Sequence, residues 1–528
     1  MDATGSTPSA ASPWDPAHPL WRRLLWVCAL ATAAPLWTTA HLPFTDLPQH
    51  VAAIASLRHF WDPVFRTQDH FSLALGQTQY LLYYFVGAAL AFPFGTAERA
   101  NLVLLSLSAL AFPFSLRALL RALRADERLA LFGCALFWTQ ALLIGFFNYL
   151  AAMPLLLWAL ALSVEQARAP RQRRAVGLGA VTLALFYLHL SAFVFFAPAC
   201  AAAFWLLPGP GQEKADWLTR LLALPQRALF ALPTLLATLL FLVRSPVVHP
   251  GEVGWKQDMT PAFESIDSAL HNLPAALLDI WHGPQDEWTL LAWLAAVVLA
   301  ASPGARPAEP EETTRLRGLA LWWVLIAVTL YFAFPVSIGW LWQLNERYAL
   351  VFALLLPLLL RPLPGLRGAL PLLLAACTGL YAAGTAATNF RAFEREVGPF
   401  DRVLAHAAPG KHLLGMIVDQ NSAHAKFSPF LHYASYYRAR YGGVASFSFA
   451  ELPQSPLRYK PGMGPPQKRP GWEWHAFDYD NGREGPYYDY ILLHGNTELA
   501  SRVDLSRGPK WRLAVREGRW SLYARDGD

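Results

Sequence analysis

The stretch HLPFTDLPQH, His41 to His50, follows directly on the apolar run Leu24–Ala40, and its Asp46 is the first acidic residue after that run. A carboxylate placed where a membrane helix meets water is costly unless it has a task or a partner. Read as structure, Asp46-Leu47-Pro48 is a helix start, with Asp as the cap and Pro in the first turn. The pattern predicts a helix through Val51–Leu57 that stops at Asp62-Pro63 and lies along the membrane surface on its apolar face. Read as chemistry, Asp46 and His50 stand four residues apart and share one helix face, with Arg58 two turns further on. A carboxylate with a nearby His and Arg can act as general base toward a hydroxyl. The two readings are compatible.

Composition says where such a residue would work. The 528 residues are 55% hydrophobic and 15% charged, with a mean hydropathy of +0.27. Soluble domains carry about 25% charged residues, so most of this chain belongs in a bilayer. The net charge of +6 is no nucleic-acid signal. The arginines cluster in short loops between apolar runs, as in cytoplasmic loops of membrane proteins. All four cysteines, Cys28, Cys134, Cys200 and Cys377, sit in apolar runs and read as small core residues. Residues 1–20 form a polar tail, rich in Ser, Ala and Pro, that reads as disordered. Arg22 and Arg23 then precede Leu24–Ala40, and the bulky His41-Leu42-Pro43-Phe44 offers no cleavage site. This is an uncleaved first helix with a cytoplasmic N-terminus.

Further apolar runs are Tyr80–Phe94, Leu102–Leu119, Leu129–Phe147, Leu150–Val164, Ala175–Leu207, Ala228–Val243, Leu290–Ala301, Leu319–Ile338, Ala349–Leu360 and Leu370–Ala387. Ala175–Leu207 is long enough for two short helices meeting near His189–Ser191. The sum is a polytopic α-helical membrane protein with about ten to twelve transmembrane helices. Residues 21–388 form the membrane domain, and the outer loop 41–79 carries the acidic motif. Arg22/Arg23, Arg117–Arg128, Arg168–Arg174, Arg306–Arg317 and Arg361–Arg367 mark cytoplasmic loops. Two full crossings between Gln79 and Arg117 would leave the Arg117 cluster outside, so one of those runs is re-entrant or the cluster breaks the rule.

Residues 389–528 are polar and aromatic. His412–Val418, Tyr488–His494, Trp511–Arg516 and Trp520–Ala524 read as strands, the last two flanking a hairpin at Glu517-Gly518-Arg519. Val397–Ala407 and Pro429–Arg440 read as helices, and Pro453–Trp474 as a Pro/Gly-rich loop. The expectation is a small C-terminal extracytoplasmic α/β domain. Its Tyr436, Tyr437, Trp472, Trp474, Tyr487 and Tyr488 suit sugar stacking or packing, and packing is the reading preferred here.

Other polar residues are weaker signals. His189 lies in a strongly apolar run, where an ionisable group is expensive and often functional, although it could equally mark a helix end. Gln140 and Asn148 read as residues that hydrogen-bond a neighbouring helix. His249, Glu252, Trp255, Lys256 and Asp258, in the second outer segment, read as a solvated loop rather than an acceptor groove. No Gly-rich phosphate loop on a strand, CxxC pair or His-x-x-x-His helix is present, so cytosolic nucleotide-driven chemistry has no support.

An apolar first helix followed at once by an acidic residue in a large outer loop resembles the GT-C superfamily of membrane glycosyltransferases. Gln79-Tyr80-Leu81-Leu82-Tyr83-Tyr84, then Phe94-Gly95-Thr96-Ala97-Glu98-Arg99, resemble its protein-mannosyltransferase and aminoarabinose-transferase branches. Asn345-Glu346-Arg347-Tyr348, opening a helix that reaches Pro357, is similar to a feature late in those membrane domains. The chain departs from the pattern in having a single acid where many relatives have a pair, and in Pro48-Gln49-His50 after it. The resemblance implies transfer of a sugar from a polyprenyl-phosphate donor, with inversion, to a lipid, glycan or protein acceptor outside the cytoplasm of a bacterial inner membrane. It implies Asp46 as base and Arg347, with Arg58, as holders of the donor phosphate. A second acidic motif holds a divalent metal in one branch; here Asp69-His70, with His50, are the residues that could supply it, and a solvated loop is the commoner fate of such a pair. Tyr348 and His189 are expected to line the cavity. Rival readings are a transporter or flippase of lipid-linked glycan, which should show internal repeats, and a non-catalytic membrane assembly protein.

Overall fold

Helix Gly365–Val397, 33 residues, sets the long axis of the molecule. At about 1.5 Å per residue it spans some 50 Å, longer than a bilayer core. The computed structural model describes residues 13–211, 216–249, 259–304, 310–467, 472–496 and 505–526. Residues 1–12 of the tail, part of the Arg306–Arg317 loop, and Glu252, Trp255, Lys256 and Asp258 lie outside the described residues. Four helices among the described residues are long and apolar enough to cross a membrane: Ala97–Ala122, Phe147–Arg168, Glu311–Ala333 and Gly365–Val397. Leu82–Phe94, Leu190–Leu206 and Arg347–Leu359 are shorter apolar helices beside them. The outer surface of the bundle is apolar, with Val27, Leu30, Leu236, Leu291, Val298, Leu321 and Leu325 exposed. A soluble protein would not leave so much apolar surface bare.

The arginines collect at one end. Arg124 and Arg168 both pair with Glu312, and Arg117 and Arg121 with Glu127. The opposite end carries the C-terminal domain. There Arg440 pairs with Glu98, at the start of Ala97–Ala122, at 3.0 Å. Ala97–Ala122 therefore runs from the domain end to the arginine end. The helix before it, Leu82–Phe94, begins beside Tyr187, whose carbonyl accepts the Leu81 N–H at 3.1 Å, and it ends back at the domain end. Gly95, at φ 85, breaks the chain there, and Thr96 caps the next helix by accepting the Arg99 N–H. Both ends of the Leu82–Phe94 hairpin to Ala97–Ala122 are thus accounted for: the turn at Gly95 lies at the domain end, and the Arg117 cluster joins the other arginines.

Two expectations change. Leu129–Phe147 is not one membrane helix. It folds as tight turns at Glu127–Gly133 and Ala135–Phe137 and a short helix Gln140–Ile144. Such backbone is tolerated at membrane depth only inside protein. Here side chains satisfy it: Trp293 Nε1 donates to the Phe132 carbonyl at 3.1 Å, and Thr32 Oγ1 to that of Cys134 at 3.5 Å. The second change concerns the helix after Asp46. It forms as predicted, over Leu47–Arg58, but Leu47 to Leu57 are all buried. It lies between the membrane helices and the C-terminal domain rather than on a lipid surface. Gln49 clasps that domain, donating to the Phe447 carbonyl and accepting the Phe449 N–H, both at 3.2 Å.

The C-terminal domain is built on a five-stranded sheet in the order Val444–Ala445, His412–Ile417, Tyr490–His494, Trp520–Arg525, Trp511–Glu517. The first two pairings are parallel and the last two antiparallel. The central parallel strands read as apolar runs because both faces are covered. Gly518 turns the hairpin at φ 57. The Pro/Gly-rich loop is not all loop: Leu457–Tyr459 pairs antiparallel with Phe71–Leu73 of the first outer loop.

The first helix ends at Ala33, short of the expected Ala40, and a charged clamp fixes the domain to the segment that follows it. His41 Nδ1 lies 3.2 Å from Glu394 and Nε2 3.1 Å from Asp401. Arg440 reaches the same Asp401 at 2.6 Å. Burial disfavours the His41 cation, but the two carboxylates outweigh it and raise the pKa. A raised folded pKa means that the stabilisation is complete below the unfolded value, about 6.5, and fades as pH rises through the folded one. Thermal melts should therefore show the largest gap between wild type and His41→Asn near pH 6, closing toward pH 9. A gap that does not change with pH would contradict the clamp.

Candidate functional site

Asp46, His50, His189 and Arg347 line one cavity of about 700 Å³ between the membrane helices and the C-terminal domain. Asp46 is placed by backbone pairing. The N–H groups of Thr45 and Asp46 donate to the Leu143 and Ile144 carbonyls at 2.9 and 3.0 Å. Gly145 makes that approach feasible. It has φ +108, and a Cβ there would sit 2.6 Å from the Asp46 Cβ. Gly145→Ala should displace the carboxylate and destabilise the protein by about 2–4 kcal/mol, combining left-handed strain with overpacking. A melt and a transfer assay on that variant check both.

Asp46 occupies the cap position of Leu47–Arg58, yet its side chain makes no capping bond. Its Oδ1 instead lies 3.3 Å from His432 Nε2, of the C-terminal domain. The carboxylate is thus left facing the cavity. His50, one turn on, is committed to the protein at both nitrogens. Nε2 donates to the Gly145 carbonyl at 2.7 Å, and Nδ1 accepts from the Tyr84 hydroxyl at 3.0 Å. Burial pulls its pKa down to about 4, against the Asp46 charge that favours the cation. His50 is a neutral strut that holds Gly145 and Tyr84. It has no lone pair left for a metal.

Arg347 opens the helix Arg347–Leu355 and is only 9% exposed. Its contacts are neutral. Nη1 lies 3.4 Å from Ser191 Oγ, Nη2 donates to the Trp342 carbonyl at 3.2 Å, and the guanidinium stands 4.7 Å from the Phe146 ring centroid. Its Nε has no partner, and among the described residues no carboxylate lies within ion-pair distance. His189 breaks the chain between Gln172–Leu188 and Leu190–Leu206, as the sequence suggests. Its Nδ1 accepts the Ser191 N–H at 3.2 Å, which leaves the proton on Nε2, 3.3 Å from Tyr80 OH. His189 is therefore neutral beside Arg347, and Glu346 acts on that arginine only at longer range than an ion pair. A buried cation with no ion pair is costly unless an anion visits.

Other expected residues fall elsewhere. Arg58 ends its helix, about 18 Å along the axis from Asp46, where it bonds the Gly95 carbonyl and faces Phe92. Asp69 is half-exposed and held by Arg66 at 2.8 Å. His70 is buried against His412, outside the cavity. Tyr348 is fully buried against Phe334 and does not line the cavity. Among the described residues no group of three His, Cys, Asp or Glu could hold a metal. The residues named for a divalent metal thus do not fit one: Asp69 and His70 are remote from Asp46, and His50 is fully bonded. Asn148, expected to bond a helix, faces the cavity with Oδ1 unpartnered. Gln140 bonds not to a helix but to Gln343, in the bend before Arg347–Leu355, at 3.3 Å.

A histidine and a carboxylate of the cavity were not singled out from sequence. His432 lies stacked on Phe447 at 5.1 Å, the residue that Gln49 clasps. Glu473 comes from the Trp472-Glu473-Trp474 turn, and its Oε2 is buried without a hydrogen-bond partner. Burial raises its pKa; His432 opposes the rise and Asp46 adds to it. A second carboxylate thus reaches the cavity from across the domain boundary. The Trp-Glu-Trp triplet was a visible signal, whereas His432 had none. Of the six aromatics noted, Trp474 faces the cavity, and Tyr436, Tyr437, Trp472 and Tyr488 pack in the core.

No family model matches the chain, and no curated protein matches it. Among solved structures, it is similar to arabinofuranosyltransferase AftD from mycobacteria, with a TM-score of 0.50 and 14% identity. The match covers 96% of this chain and 40% of that one, so this chain spans well under half the length of AftD. At that identity the likeness is one of fold alone.

Proposed function

We propose that this protein is a membrane glycosyltransferase that moves a sugar from a polyprenyl-phosphate donor to an acceptor hydroxyl, with inversion. The observation that carries the reading is a single cavity holding both a carboxylate, Asp46, and a buried arginine, Arg347, that forms no ion pair among the described residues. In the proposed step the Asp46 carboxylate takes the acceptor O–H proton, and that oxygen forms a bond to the anomeric carbon. The bond from that carbon to the phosphate oxygen breaks on the far face, and its electron pair leaves with the lipid phosphate. Arg347 meets the charge that develops there with a planar fork of donors. The arginine-rich end is placed in the cytoplasm of a bacterial inner membrane, and the cavity and C-terminal domain outside it.

The test is the stereochemistry of transfer. The full chain, incubated with polyprenyl-phosphate arabinose or mannose and a cell-envelope acceptor fraction, should give a product of opposite anomeric configuration by NMR. Retained configuration would overturn the single-displacement reading.

A further inference from the structure

We infer that the C-terminal domain supplies the acceptor subsite, and that the acceptor it takes there is a neutral sugar. The inference rests on the transferase reading above. Three side chains of that domain enter the cavity together. Trp474 is 47% exposed although it lines the cavity wall, so an indole face is left without a protein partner. Glu473, its neighbour, keeps one carboxylate oxygen buried and unpartnered. His432 bridges to Asp46 at 3.3 Å and so ties this group to the base. The turn that carries the pair is anchored by Gln420 Nε2, which donates to the Glu473 carbonyl at 3.1 Å.

An open aromatic face beside a carboxylate suits a sugar ring. The apolar C–H face of the ring stacks on the indole, and its hydroxyls donate to the carboxylate. The local charge excludes the alternatives. Asp46 and Glu473 stand close enough for the Asp46 charge to raise the Glu473 pKa. An acceptor with a phosphate or carboxylate would meet two acids. The arginine that could offset them, Arg347, is held among other neighbours, Ser191, Trp342 and Phe146. No lysine lines the cavity among the described residues. One hydroxyl of the sugar would face Asp46 for transfer while another rests on Glu473, which makes Glu473 the selector of the reacting position.

The test uses the full chain in lipid nanodiscs, free of sugar detergents, and saturation-transfer NMR with methyl glycosides of arabinofuranose, mannose and glucose. Glucose 6-phosphate is the anionic control. Saturation should reach the ring protons of at least one neutral glycoside and not the phosphate. Trp474→Ala should abolish the signal, while Arg347→Ala and Asp46→Asn keep it. No signal from any neutral glycoside, equal signal from the phosphate, or a signal that survives Trp474→Ala would overturn the inference. In transfer assays Glu473→Gln should raise the acceptor KM and leave the donor KM unchanged; a change in donor KM alone would also overturn it. Failure of the transferase reading looks different: wild type would then transfer no sugar while still giving a saturation signal that Trp474→Ala abolishes.

Discussion

Asp46→Asn should lower the rate of transfer by about 10³-fold, within the range general bases contribute, while the protein expresses and melts as wild type does. Asn has the same size and can still accept from His432, so the Gly145 packing and the 3.3 Å contact survive. What is lost is the ability to take a proton. The alternative bases can be weighed from their bonds. His50 cannot substitute, because its Nε2 proton is given to the Gly145 carbonyl and Nδ1 is taken by Tyr84. Its pKa, pulled to about 4 by burial, makes it a poor base as well. His432 is the real competitor, since it lies 3.3 Å from Asp46 and its charge also acts on Glu473. His432→Gln should therefore be made in parallel and should cost less than Asp46→Asn. The reverse order would move the base to His432, and full activity of Asp46→Asn would end the assignment altogether.

The parts of this molecule that were legible from sequence are those whose signal is local. The break at His189 lies inside a run too long for one helix, and the strands at His412 and Tyr490 are apolar runs flanked by turns. The helix start at Asp46 was also legible, because Asp-Leu-Pro is a short-range pattern. Its environment was not. An interfacial helix and one buried under a second domain are equally apolar, and only the distant Phe447 and Phe449 distinguish them. Leu129–Phe147 misleads for a similar reason. A wholly buried irregular segment needs the same side chains as a spanning helix, and its backbone is satisfied by Thr32 and Trp293, far along the chain. The second acid shows the limit most clearly. One carboxylate in the outer loop looked like a deficit while the loop was read alone. Glu473 and His432 come to it only through the docking of the C-terminal domain.

Arg347→Ala should separate function from stability in a way few substitutions do. A structural arginine is missed when removed, because its partners are left unpaired. Arg347 has no ion-paired partner: its contacts are a serine hydroxyl, a carbonyl, a neutral His189 and an aromatic ring, so its removal leaves no paired carboxylate behind. Relieving a buried cation that has no ion pair should leave the melting temperature unchanged or raise it. The catalytic cost should be large. Two charge-assisted bonds to the phosphate, at about 1.5–3 kcal/mol each, correspond to a loss of about 10²–10⁴-fold in kcat/KM for the donor. Arg347→Lys keeps the charge but not the planar fork, so it should fall between wild type and Ala. Added polyprenyl phosphate offers the converse check, since an anion that supplies the missing counter-charge should stabilise wild type and not Arg347→Ala. A variant that melts lower, or that transfers sugar with an unchanged donor KM, would show that Arg347 is packing and that the phosphate sits elsewhere.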